Sequence, residues 1–322
     1  MTTPKRTLRH RYGGELKDPV YTEHIMLASR LSSRTISLLL IVFGLSVAAI
    51  PATSAAPTAE REVALPNAII HYRERGAGPP VLFVHALLLD SRLWLDQLES
   101  LCERRRCLAP DLRGHGHSSP LLQEQVDYER YTQELIEFLD ATGVDGPADI
   151  VGLSAGGNLA VQLCRKAPAR CRSLTLISTV LDGDLDAATI RYRKENARTV
   201  VLEGKDALFR RFNEYIVSPS ASMYARARYR SMLEQTPYET LVAFFSTTST
   251  PRASADGAPL DLPVMIPIGS ADSVVSTELA QRSTRFFTRA RVVSLDSAGR
   301  LLPLEAPQEL NRALQEFWQD LD

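Results

Sequence analysis

The segment Gly152-Leu153-Ser154-Ala155-Gly156 constrains this chain more than any other feature. An apolar run at 149–153 precedes it and a helical pattern at 157–164 follows it. A serine at a strand-to-helix turn needs a strained backbone. The flanking glycines serve where neighbouring chains pass too close for side chains. Such a turn presents the hydroxyl of Ser154 as a candidate nucleophile. A serine hydroxyl is a weak nucleophile until a nearby base takes its proton. The usual base is histidine, and no histidine follows His117.

The pattern around the pentapeptide alternates. Short apolar runs at 68–72, 81–85, 107–109, 150–153, 174–178, 264–268 and 292–295 read as strands. Helical spacing appears at 91–101, 128–142, 156–166, 276–287 and 307–321. Strands alternating with helices imply an α/β fold, a doubly wound and mostly parallel sheet covered on both faces. Residues 182–257 interrupt the alternation with helix-like stretches at 206–215 and 222–233. They read as a helical cap inserted into a core of 60–181 and 258–322, with a return linker at 253–259.

Residues 1–55 read as a secretory signal. Arg30 and Arg34 precede the apolar run 36–50, small residues follow, and cleavage after Ala55 fits. Met26 would start a signal of ordinary length. The run is shorter than a spanning helix requires, and an uncleaved anchor is the other reading. Export suits the four cysteines, which fall in two close pairs, Cys102 with Cys107 and Cys164 with Cys171. Local pairing is favoured over four buried thiols. A formal net charge of −1 provides no basic field for nucleic acid or anionic lipid. No phosphate-cradling glycine loop or metal-spaced cluster appears, so no cofactor and no metal are expected. The expected partner is a small molecule.

Four further segments carry a resemblance. Val81-Leu82-Phe83-Val84-His85-Ala86, followed by Trp94, resembles the loop after the third strand of the α/β-hydrolase fold family, where His-Gly is usual. Asp111-Leu112-Arg113-Gly114-His115-Gly116-His117-Ser118 is similar to that family's Asp-x-Arg-Gly-x-Gly-x-Ser loop, which shapes a turn. Ile266-Pro267-Ile268-Gly269-Ser270-Ala271-Asp272 resembles the strand and turn that deliver the triad acid. Residues 298–307 are similar to the family's Gly-His segment with its following Glu-x-Pro, except that Arg300 stands where the histidine belongs.

The resemblance spans about 63–320 and is nearest in pattern to small cap-bearing esterases, enol-lactonases and cofactor-free haloperoxidases. It implies Ser154 as nucleophile, Asp272 as acid, the Leu87 and Ala155 amides as oxyanion donors, and Gly152 and Gly156 as the elbow glycines. A serine at the elbow excludes enzymes that need a carboxylate there. Arginine stays protonated and cannot accept the serine proton. It is expected to pair with Asp272 in a fork.

Two readings follow. One is a serine hydrolase of carboxylic esters, lactones or similar acyl compounds, with His117, His115 or His85 moved in as base. The other is a catalytically impaired homologue that binds a small anionic ligand through Arg300.

Overall fold

The computed structural model describes residues 57–121, 126–181, 187–247 and 258–322. The signal-peptide reading of 1–55 and most of the return linker at 253–259 lie outside them. Eight strands form one sheet: β1 Ala59–Leu65, β2 Ala68–Arg75, β3 Pro80–Val84, β4 Arg106–Pro110, β5 Ala148–Leu153, β6 Cys171–Ile177, β7 Leu260–Gly269 and β8 Phe287–Leu295. The spatial order is β1-β2-β4-β3-β5-β6-β7-β8. β1 and β2 pair antiparallel, as do β2 and β4, and every other pairing is parallel.

Ten helices accompany the strands among the described residues. α1 Leu95–Leu101, α2 Tyr128–Ala141 and α3 Ala155–Lys166 precede an insertion of α4 Ala187–Glu203, α5 Lys205–Tyr215, α6 Met223–Gln235 and α7 Tyr238–Ser246. α8 Thr277–Ser283, α9 Leu302–Glu305 and α10 Pro307–Gln319 follow. The four inserted helices lie in the chain between β6 and β7.

Side chains alternate across a strand, so a buried central strand serves two cores. In β3, Val81 and Phe83 join the core containing Trp94, Leu98 and Trp318, while Leu82 and Val84 join the one containing Tyr131, Phe138 and Leu159. β5, at the centre, is buried along its whole length. Its carboxyl end delivers Ser154.

Both cysteine pairs are disulfides, Cys102–Cys107 and Cys164–Cys171. Each ties the end of a helix, α1 or α3, to the start of the next strand. No helix among the described residues is long and apolar enough to cross a membrane.

The sequence pattern missed β1 and the first half of β8, both edge strands. Glu60, Arg61 and Glu62 in β1 and Arg289 and Arg291 in β8 break the apolar signal. Charge on an edge strand discourages pairing with another chain. β7 also extends through Pro263, where the register with β8 shifts; a bulge tolerates a residue with no N–H.

Candidate active site

Ser154 sits between β5 and α3 with φ 55° and ψ −117°. A non-glycine residue held there carries roughly 1–3 kcal/mol of strain, which persists only when the surroundings over-determine it. The surroundings do so. The Ser154 N–H donates to the Ile177 carbonyl at 2.9 Å, and the Ser154 carbonyl accepts from Gly157 N–H at 3.0 Å. A Cβ on Gly152 would lie 2.5 Å from the Gly156 backbone, and one on Gly156 would lie 2.3 Å from the Val84 carbonyl oxygen. The two glycines therefore let β5, α3 and the end of β3 approach closely enough to hold the turn.

The loop after β3 faces this turn. Leu88 also has a left-handed backbone, φ 72°. Its N–H donates to His115 Nε2 at 3.0 Å, and its carbonyl accepts from Thr236 Oγ1 at 2.8 Å, just past α6. Leu89 N–H donates to the Ala86 carbonyl at 3.1 Å. The Leu87 and Ala155 N–H groups have no acceptor among the described residues.

Arg300 reaches the elbow. Its Nη2 donates to Ser154 Oγ at 2.6 Å. Its Nη1 lies 4.0 Å from Asp272 Oδ1. The expected fork with Asp272 is therefore not formed: one guanidinium nitrogen goes to the serine, and only the other approaches the acid. Asp272 instead uses Oδ1 to accept Val274 and Val275 N–H at 2.8 and 3.0 Å, as the head of a turn. Its side chain is fully buried, and Oδ2 has no hydrogen-bond partner among the described residues. Asp272 thus keeps an unused oxygen beside a guanidinium whose other nitrogen bonds to Ser154.

Glu305, whose role the sequence left open, holds the Arg300 loop. Its Oε2 accepts Gly299 N–H at 3.1 Å and its Oε1 accepts Leu301 N–H at 3.0 Å, on either side of Arg300. Oε2 also accepts Ser218 N–H at 3.1 Å, from the segment between α5 and α6. Burial pushes its carboxyl pKa up against these three donors. The Glu-x-Pro spacing was the visible signal for it.

The histidines weighed as substitute bases are in other use. His85 Nε2 accepts Leu112 N–H at 2.9 Å and its Nδ1 donates to the Ala86 carbonyl at 2.8 Å. His115 accepts Leu88 N–H at Nε2 and donates from Nδ1 to the Arg113 carbonyl at 3.0 Å. Both rings are buried and neutral, with both nitrogens committed. Burial pulls the His85 pKa down. Burial, helped by the nearby His85, pulls that of His115 down to about 3. His117 is exposed and stands edge-on to His71, with ring centroids 5.1 Å apart. None of the three bonds to Ser154.

The loop at 111–118 earns its residue types structurally. Asp111 accepts Ser91 N–H, His117 N–H and His71 Nδ1–H at 2.7 to 3.0 Å. Arg113 pairs with buried Glu134 at 2.7 Å. Among the described residues, no group of three His, Cys, Asp or Glu side chains is arranged to hold a metal ion.

This architecture has known relatives. The family described as alpha/beta hydrolase fold matches residues 79–307, and the chain belongs to it. The chain is 38% identical over 116 residues to the dihydrolipoyllysine-residue acetyltransferase component of the acetoin cleaving system of Cupriavidus necator. That match spans 36% of this chain and 30% of the relative. It is 26% identical to a pimeloyl-[acyl-carrier protein] methyl ester esterase of Nitrosomonas europaea, over 75% of this chain and 96% of the relative. An esterase from Thermogutta terrifontis, solved with malate bound, superposes with a TM-score of 0.75 at 25% identity, covering 82% of this chain and 99% of that one.

Proposed function

We propose that this family member binds a small carboxylate at its elbow and has lost acyl transfer driven by a general base. The observation that carries the reading is the Arg300 Nη2 to Ser154 Oγ hydrogen bond of 2.6 Å. A guanidinium only donates, so Ser154 Oγ accepts there and Arg300 takes no proton from it. Charge-assisted bonds from a guanidinium suit a carboxylate. The Leu87 and Ala155 amides, proposed as oxyanion donors, point to the same use, as does the N-terminal end of the 12-residue α3. Malate on the Thermogutta esterase is a ligand of this chemical class. The reading keeps Asp272 as the buried counter-charge that tethers Arg300.

A second reading, hydrolysis of a carboxylic ester, lactone or similar acyl substrate through Ser154, is favoured by the retained strain at Ser154. A site lacking one triad member typically keeps roughly 10³–10⁴-fold over water from the oxyanion hole and binding alone. The two disulfides support an exported protein, with the inserted helices as the cap over the site.

Titration calorimetry with malate separates the readings. Binding that survives Ser154→Ala and is lost in Arg300→Ala is expected. Loss in the serine variant with survival in the arginine variant would overturn the proposal.

A further inference from the structure

Asn196 is an anomaly. It is fully buried on α4, yet among the described residues neither its amide nitrogen nor its amide oxygen has a hydrogen-bond partner. Buried side-chain amides are normally satisfied, because an unpaired polar group loses its water without compensation. An amide with both ends unused is one that another molecule can complete.

The position of Asn196 on its helix indicates which molecule. At 100° per residue, Tyr192, Asn196 and Val200 share one face of α4. Ile190, Arg193, Lys194 and Ala197 lie on a different stripe, which lines a separate cavity beside α7. The Asn196 stripe turns inward. Tyr192 stacks on Phe212 with ring centroids 6.4 Å apart. Val200, Phe212 and Tyr229 belong to the same apolar cluster as Leu88, Leu153, Ala298 and Leu301, the residues around the elbow and the Arg300 loop. Tyr229 is buried, and its hydroxyl feels both Tyr192 and the charge of Arg300. Tyr229 thus lies within electrostatic reach of both Tyr192 on the inner face of α4 and the Arg300 guanidinium.

We infer that Asn196 is a specificity residue that reads a hydroxyl on the bound carboxylate, so that the ligand class is a small hydroxycarboxylate. A side-chain amide with donor and acceptor both unused complements a group that donates and accepts, and a hydroxyl is the smallest such group. Asn196 is fully buried, which makes a missing partner costly and the discrimination large. This inference rests on the proposed carboxylate site at Arg300 and adds the second contact point that selects among carboxylates.

The test is calorimetry on the full chain with malate and succinate, which differ by one hydroxyl, for the native protein and Asn196→Leu. Malate should bind the native protein at least about tenfold more tightly than succinate. Asn196→Leu should abolish that preference while leaving succinate within about twofold. Equal affinities in the native protein overturn the inference, whether or not the variant folds. So does a preference that survives in Asn196→Leu. Failure of both acids to bind the native protein at millimolar concentration, by contrast, removes the carboxylate site itself. A merely structural Asn196 predicts a different signature: a raised melting temperature in Asn196→Leu with both affinities unchanged.

Discussion

Mild acid should loosen this protein through two histidines that must stay neutral to hold the loop facing Ser154. His115 Nε2 accepts Leu88 N–H and His85 Nε2 accepts Leu112 N–H, so protonating either ring sets donor against donor. Burial holds His115 down to about 3 and shifts His85 in the same direction. In the unfolded chain both titrate near 6.5. Between roughly pH 6 and pH 4 the unfolded chain therefore carries a proton at His115 and the folded chain does not. Stability then falls by about 1.4 kcal/mol per pH unit through His115 as the solution is acidified, and His85 acts in the same direction.

His71 acts oppositely. Its hydrogen bond to Asp111 raises its pKa, so its contribution is present below about 6.5 and is lost as pH rises through the folded value. Below pH 6 it is charged in both states and adds no slope. His115 alone gives about 1.4 kcal/mol per unit, an appreciable part of a typical total of about 5–15 kcal/mol. Urea unfolding with the disulfides intact, at pH 7, 6, 5 and 4.5, measures this. His115→Gln, whose amide oxygen can still accept Leu88 N–H, should lower the slope between pH 6 and 5 by about 1.4 kcal/mol per unit. A flat profile there, or an unchanged slope in the variant, refutes the reasoning.

Other outcomes follow from the same contacts. Gly156→Ala drives a Cβ to 2.3 Å from the Val84 carbonyl and 2.5 Å from that of His85. Overpacking of this kind costs about 1–3 kcal/mol, so urea midpoints should drop accordingly. Glu305→Ala orphans the Ser218, Gly299 and Leu301 amides and should destabilise by about 1–3 kcal/mol while weakening malate binding, as calorimetry would report. Reducing the disulfides, at sequence separations of 5 and 7, should remove about 2 kcal/mol each, read by unfolding with and without reductant.

Much of the fold was legible because apolar periodicity survives wherever a strand is buried on both faces, as in β5. The charged edges β1 and β8 carried no such signal. α4 was also hidden: the Tyr192, Asn196 and Val200 stripe places a polar residue at its centre, so no amphipathic pattern emerges. At the site, Ser154, Asp272 and Arg300 were named from motif and spacing, and they do converge. What the sequence could not convey was where a flexible guanidinium goes. Opposite charge suggested Asp272, but the turn after β7 already occupies Oδ1 with the Val274 and Val275 amides, and Arg300 reaches Ser154 instead. The idle His85 and His115 were likewise unreadable, since their partners are backbone amides from distant loops.

Central to the proposed reading is that no side chain acts as base to Ser154. Fluorophosphonate labelling of the native chain beside Arg300→His and Ser154→Ala tests it most directly. An imidazole at position 300 would lie between Asp272, with its unused Oδ2, and Ser154. The account predicts no labelling of the native chain and of Ser154→Ala, and labelling of Arg300→His at Ser154. Rapid labelling of the native chain at Ser154 would contradict it, because some other group would then be activating the serine.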